Sequence, residues 1–522
     1  GNHPVSPDFD APTSAPPAAL LTKNPLRWLS FFGPGAVIAS LTIGSGELIF
    51  SSRGGAIFGY RLLFVFLLVL LLKWALVFGT ARHIVLTGAH PFERWAHLPG
   101  PRGWLPFTFL LLAALAFPIW VSFHAGTIGT LLAGLTGTSD AWHGGAHFVW
   151  GLGTLAMVIA LVASGGYARL ERIQLVIIIA MLAGVVISLL LLKPDWLALL
   201  KGCFMPQSLH YPEWIQKNPE FAARPEWLEV TTYVGVIGGG GYDYLAYTAY
   251  LRGKHWGRAN ATGTGPAELA AIAANPTHPA RQWLRAPLID CTLSFAAVLI
   301  FAGVFVVCGT LILAPSHQLP GGNNLLNLQS QFVSASLPGL KFLYFLGAFL
   351  TMFGTLYGTV EVAPPILREI VRGWNASLAR QLEPRLRPWA VWWVQLAGAA
   401  VLGGSLAYHL TRGRDNPPGL IALLTPANLF TGVTACGLIC LLSVWSDRRF
   451  LPAALRMNGI LTALNILAGI CFVVLGLKGY WDHSGWRSLL LLAATGAVGL
   501  IAAWVAAGAS QRQKHWPPIL NR

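Results

Sequence analysis

Ile38-Ala39-Ser40-Leu41-Thr42-Ile43-Gly44-Ser45-Gly46-Glu47-Leu48-Ile49-Phe50 and Gly235-Val236-Ile237-Gly238-Gly239-Gly240-Gly241-Tyr242-Asp243-Tyr244-Leu245 decide how this chain is read. Each stretch sits inside a longer apolar run and sets glycines beside one carboxylate. A glycine inside a helix costs about 1 kcal/mol against alanine, so four in succession predict an interruption. In lipid, unwound backbone survives only where protein or a watery cavity satisfies its N–H and C=O groups. A carboxylate at the same depth is costly and marks a functional site. Glycine also serves plain helix packing, but two such stretches, each beside an acid, point to a binding site.

Around them the chain of 522 residues is 55% hydrophobic and 11% charged, less than half the charged fraction usual for a soluble domain. Apolar runs recur at 28–52, 60–87, 104–136, 148–166, 174–193, 230–250, 287–313, 340–366, 388–410, 418–445, 457–480 and 487–508. Crossing a bilayer takes roughly 20 mostly apolar residues, and a single soluble core stops growing near roughly 250–300 residues. The expectation is an all-α polytopic membrane protein of about 11–12 spans. The two glycine-rich stretches fall in the first and sixth spans. These positions match if two five-helix halves repeat with inverted topology, and paired interruptions of this kind point to a transporter's binding site.

The net charge of +15 does not imply a nucleic-acid partner, because the basic residues sit in short loops between apolar runs. With a cytoplasmic N-terminus, the inside loops hold Arg82, Arg94, Arg169, Arg172, Arg252, Arg258, Arg368, Arg372, Arg448 and Arg449 among others. That is the bias of the positive-inside rule and predicts a multi-pass cell (inner) membrane protein whose partner is the lipid bilayer. The predicted organisation is a disordered tail over 1–22, a first repeat over 23–200, a second over 201–450, extra spans over 451–510 and a cytoplasmic tail over 511–522. Six scattered cysteines read as core thiols rather than a disulfide framework. No H-E-x-x-H, G-x-S-x-G or phosphate-loop motif is present, so an enzyme is not expected.

Several short matches carry a family resemblance. Gly33-Pro34-Gly35 and Gly54-Gly55-Ala56-Ile57-Phe58-Gly59-Tyr60 frame the first span; Ala81-Arg82 and Thr87-Gly88 close the second. Arg169-Leu170-Glu171 and Pro194-Asp195-Trp196 flank the fifth; Ser446-Asp447-Arg448-Arg449 and Leu464-Asn465-Ile466-Leu467-Ala468 lie around the tenth and eleventh. Over most of residues 27–480 the chain resembles the natural resistance-associated macrophage protein (Nramp) family. The resemblance implies the leucine-transporter fold: two inverted five-helix repeats, broken helices 1 and 6, and one or two extra C-terminal helices. In that family the first break is Asp-Pro-Gly-Asn and the sixth Met-Pro-His, supplying metal ligands and a proton-linked histidine. Here the matching positions hold Gly44 and Glu47, then Gly241, Tyr242 and Asp243, so the chain resembles a divergent member without the transition-metal ligand motifs.

The leading expectation is therefore a secondary transporter of a small carboxylate-like anion, bicarbonate or an organic acid, coupled to Na⁺ or H⁺. Ile43-Gly44-Ser45-Gly46 is similar to the Gly-Ser-Gly break of amino-acid and polyamine transporters, where backbone N–H groups hold a carboxylate. A half-helix N-terminus offers such donors, and glycine allows close approach. The candidate substrate site comprises Gly44, Ser45, Gly46, Glu47, Gly239, Gly240, Gly241, Tyr242, Asp243 and Tyr244. The alternative is a hard divalent cation, Mg²⁺ ahead of Mn²⁺ or Fe²⁺, held by Glu47 and Asp243 with waters. A third reading is a membrane sensor that binds without transporting.

Thr351, Thr355 and Thr359 recur every four residues and, with Glu47 and Asp243, are candidates for a coupling ion. His124 and Glu361 are proton-path candidates, Lys73 is a second intramembrane charge, and Asn428 is a polar candidate in the tenth span. No resident cofactor is expected, and the oligomeric state is left open, a monomer being compatible with the reading.

Overall fold

The computed structural model describes residues 13–164, 179–321 apart from 182 and 188, 324–334, 338–412 and 419–514. The expectations for 1–12, for Arg169-Leu170-Glu171 and Arg172, for the start of the fifth span and for 515–522 lie outside the described residues. All regular structure among the described residues is helical.

The first helix opens with α1 (Pro34–Thr42), where proline at the first helical position supplies a preset φ. The Asp290 carboxylate accepts from Gly33 N at 2.9 Å and Gly35 N at 2.8 Å, satisfying two otherwise orphaned donors. The chain then winds into a π-helix, Ile43–Ser51, with all nine residues buried, before α2 (Ser52–Phe58). Helix 1 is thus interrupted by a wider turn, not by extended chain. π-helical backbone bonds i to i+5, so the peptide groups of Gly44, Ser45 and Gly46 are not the bare cradle expected of them.

Gly59, at φ +62°, ends α2 and a 3₁₀ turn leads into α3 (Leu63–Thr87). The 54 residues from Pro34 to Thr87 would reach roughly 80 Å as one helix, far beyond a hydrocarbon core of about 30 Å. Helix Arg285–Cys308 packs against α1, the π-helix and α3 alike, so the chain doubles back at Gly59 and makes two spans.

The short α4 (Pro91–Trp95) precedes α5 (Trp104–Leu135) and α6 (Ala146–Ser164), and α7 (Trp196–Phe204) follows the fifth span. Helix 6 comes in two pieces, α8 (Glu226–Val236) and α9 (Gly241–Lys254). Next come α10 (Arg285–Cys308), α11 (Lys341–Trp374), α12 (Ala376–Arg412) and α13 (Leu420–Asn428), the last continued by a π-turn and α14 (Ala435–Phe450). Two further helices, α15 (Gly459–Ser484) and α16 (Trp486–Lys514), complete the chain as described. Among the described residues eight helical stretches are long and apolar enough to cross a membrane. The architecture is the leucine-transporter arrangement of two inverted repeats plus two extra spans.

Helices 1 and 6 run antiparallel through the centre. Gly33 lies against Lys254 at one end, and Arg53 meets Glu229 at the other. Both ends carry buried ion networks. Arg252 joins Glu93 at 2.7 Å and Glu369 at 2.8 Å near the start of helix 1. The latter part of the expected disordered tail is docked: Leu20 is fully buried, and Ser14 O accepts from Trp283 Nε1 at 2.8 Å. Leu20 supplies the apolar side chain that this segment buries, while Leu21 stays exposed.

Candidate functional site

The helix-6 break spans Ile237 to Gly240. Gly238 (φ +78°) and Gly239 (φ +97°) occupy the left-handed region, which glycine adopts without steric cost. The peptide groups of the break find partners within the protein. Gly238 N donates to Glu47 Oε1 at 3.3 Å, Gly239 N to Val236 O at 3.2 Å, and Gly240 N to Asp243 Oδ2 at 2.7 Å. Among the carbonyls, Gly238 O accepts from Tyr244 Oη at 2.6 Å. Gly235 O, Ile237 O and Gly239 O accept from Lys73 Nζ at 3.2, 2.7 and 2.6 Å. The second expected N–H cradle is therefore already filled, by the chain's own acids.

A cavity of about 50 Å³ lies between the π-helix, the break, α5 and the π-turn after α13. Asp243, Ser45, Tyr242, His124, Thr359 and Thr431 contribute to its wall, with Thr42, Gly239 and Gly240 beside them. Asp243 is half-buried, the rest mostly buried. Asp243 caps α9 through one oxygen and still borders the cavity. His124 Nδ1 is buried without a hydrogen-bond partner, and its ring lies 5.5 Å from that of Trp120. Tyr242 turns its hydroxyl away, donating to Phe109 O at 2.5 Å, and presents its ring.

The structure gathers Ser45, Gly239, Gly240, Tyr242, Asp243, His124 and Thr359 at this cavity and leaves the other candidates elsewhere. Gly44 is a packing glycine: a Cβ there would overlap Thr355 Oγ1 and stand 2.8 Å from Met352 Sδ. Gly46 lies against Val236 O, and Gly241 against Ala435 and Ile439. Glu47 is fully buried behind the break, its Oε2 without a partner. It does not face Asp243 across the cavity, as the two-carboxylate metal reading required. Tyr244 braces the break from behind.

The threonine stripe does not converge. Thr351 donates to Gly347 O at 2.6 Å and Thr359 to Thr355 O at 2.9 Å, both within α11. Glu361 is bound by Arg387 through two hydrogen bonds of 2.6 and 2.7 Å at a partly exposed position, which removes it from a proton path. Asn428 holds α8 by donating to Thr232 O at 3.0 Å. No cluster of three His, Cys, Asp or Glu suited to a metal occurs among the described residues. Trp120, Thr42 and Thr431 line the cavity without having been singled out; a lone threonine or tryptophan in an apolar run carries no distinctive sequence signal.

A polytopic bundle of inverted repeats, with a small polar cavity where helix 6 breaks beside helix 1, defines the class: a transporter-type membrane protein. The Nramp profile, "Natural resistance-associated macrophage protein-like", matches residues 35–482, and the chain belongs to that family. It is 28% identical over 201 residues to the divalent metal cation transporter MntH of Chromohalobacter salexigens, covering 36% of this chain and 43% of that protein. To the MntH of Listeria innocua it is 25% identical over 353 residues, covering 64% of this chain and 68% of the relative. A mutant form of the Eremococcus coleocola manganese transporter shares the fold with a TM-score of 0.65 at 15% identity, over 95% of this chain and 96% of that one. The same transporter bound to an aromatic bis-isothiourea compound gives 0.63 at 15% identity, over 92% and 93%.

Proposed function

We propose that this chain is a secondary-active transporter that carries a small divalent cation past the helix-6 break by alternating access. The observation that carries the reading is the Asp243 carboxylate at the wall of a 50 Å³ cavity. This small space suits an ion that has shed much of its water. The residues around it offer carboxylate, hydroxyl and imidazole groups and no sulfur. Such a set favours hard cations such as Mg²⁺ or Mn²⁺ over softer ones. The names of the MntH relatives point the same way. The carboxylate-anion expectation loses its support, since the peptide N–H groups it relied on bond to Glu47, Asp243 and Val236.

The coupling ion in this reading is H⁺. His124 and Asp243 border the cavity and exchange protons readily as residue types, whereas the hydroxyl stripe for Na⁺ is not assembled. The chain sits in the cell membrane with its N-terminus in the cytoplasm, the side that the basic loops assign.

Uptake into proteoliposomes tests the reading. Mn²⁺, Mg²⁺, bicarbonate and small carboxylates are compared, each with and without Na⁺ and a pH gradient. Saturable, pH-driven uptake of a divalent cation is expected. Saturable bicarbonate or carboxylate uptake without cation flux overturns it, and binding without counterflow identifies a sensor.

A further inference from the structure

We propose that the Lys73 ammonium is a tethered cation: it fills a cage of main-chain carbonyls in the helix-6 break, a place that would otherwise need a monovalent cation from solution.

Lys73 projects from α3, and its side chain is fully buried. Its Nζ meets Gly235 O, Ile237 O and Gly239 O at 3.2, 2.7 and 2.6 Å. Three acceptors match the three N–H bonds of an ammonium, while a neutral amine has only two. The geometry therefore specifies the charged form. The cage exists because the left-handed turn at Gly238 and Gly239 directs successive carbonyls toward one point. Tyr244 Oη pins it by donating to Gly238 O at 2.6 Å and Gly239 O at 3.1 Å. The last carbonyls of α8 also lie here, at the negative end of that helix's dipole, which favours a cation. Ion channels hold cations with comparable carbonyl sets.

Two acids flank this charge through the same four residues. Glu47 accepts from Gly238 N and Asp243 from Gly240 N. The break is thus alternately charged by side chains alone, and α3 is fastened to the unwound part of helix 6. Removing the ammonium should leave an empty cage that takes Na⁺, NH₄⁺ or a small alkylammonium.

The test uses the full chain in detergent, with unfolding followed by tryptophan fluorescence. Lys73→Ala is expected to lower Tm, and ethylammonium or NH₄⁺ chloride to raise it again. Wild type and Lys73→Met, whose uncharged side chain fills the space, should show no such response at matched ionic strength. An equal response in all three, or none in Lys73→Ala, overturns the proposal. If Lys73→Ala does not fold, Lys73→Arg and Lys73→Met decide. Folding of the arginine variant alone supports a required charge, and equal behaviour of the two overturns it. A flux arm rests on the transport reading: Lys73→Ala uptake should become dependent on added monovalent cation while wild-type uptake is not. Absence of wild-type flux counts against the transport reading only, because the unfolding arm needs no transport.

Discussion

Arg53 Nε and Glu229 Oε1 meet at 2.6 Å with both side chains fully buried, and this contact ties the end of helix 1 to the start of helix 6. Arg53 also donates to Pro320 O at 2.7 Å and to the half-exposed Glu220 at 3.0 Å, while Arg224 and Tyr233 donate to Glu229 as well. Removing one partner of a buried pair strands the other and costs about 3–5 kcal/mol. Glu229→Ala should therefore lower the unfolding midpoint far more than the matched double substitution Arg53→Met with Glu229→Met. Thermal unfolding in detergent checks this, and equal losses would contradict it.

Helix 1 packs on α11 through Gly44. A side chain there collides with Thr355 and Met352, and overpacking of this kind costs about 1–3 kcal/mol. Gly44→Val should destabilise by that amount, and adding Thr355→Ala should recover part of the loss. Denaturant unfolding of the single and double variants reads the difference.

His90 gives the fold an acid-sensitive point outside the spans. Its Nε2 lies 2.8 Å from Leu245 O, and its Nδ1 accepts from Phe92 N at 3.2 Å. Both contacts suit the neutral ring; a second ring proton would face an N–H donor. Burial accordingly pushes its pKa from 6.5 down to about 4. With the folded value lowered, this contribution is complete above pH 6.5 and is lost as pH falls toward 4. His90→Gln should flatten the Tm–pH curve in that window relative to wild type.

Glu361 stands apart from the cavity, paired with Arg387. A partly exposed pair contributes about 0–1 kcal/mol. Glu361→Gln should leave both Tm and the pH dependence of uptake near wild type, and a shifted pH profile would restore it to a proton path.

Much of this was legible in the sequence. Four consecutive glycines could hardly continue a helix, and Asp243 stands where they end. The paired positions of the two interruptions carried the fold. The π-winding of Ile43–Ser51 was not legible, because glycine content reports weak α-helix, not the bond pattern that replaces it. Lys73 was visible as a charge in an apolar run, but its carbonyl partners lie more than 160 residues away. The threonine stripe shows the opposite limit. A spacing of four places hydroxyls on one face, yet Thr351 and Thr359 turn to acceptors in their own helix and Thr355 to Ser40 O of helix 1.

The most direct test of the central claim is divalent-cation uptake by proteoliposomes carrying Asp243→Asn beside wild type. Even a group behind a metal ligand commonly contributes about 10–100-fold to metal affinity or activity, so this isosteric change should cut saturable Mn²⁺ or Mg²⁺ uptake by at least about tenfold with Tm little altered. Uptake at the wild-type level, saturable and driven by pH, would contradict the account.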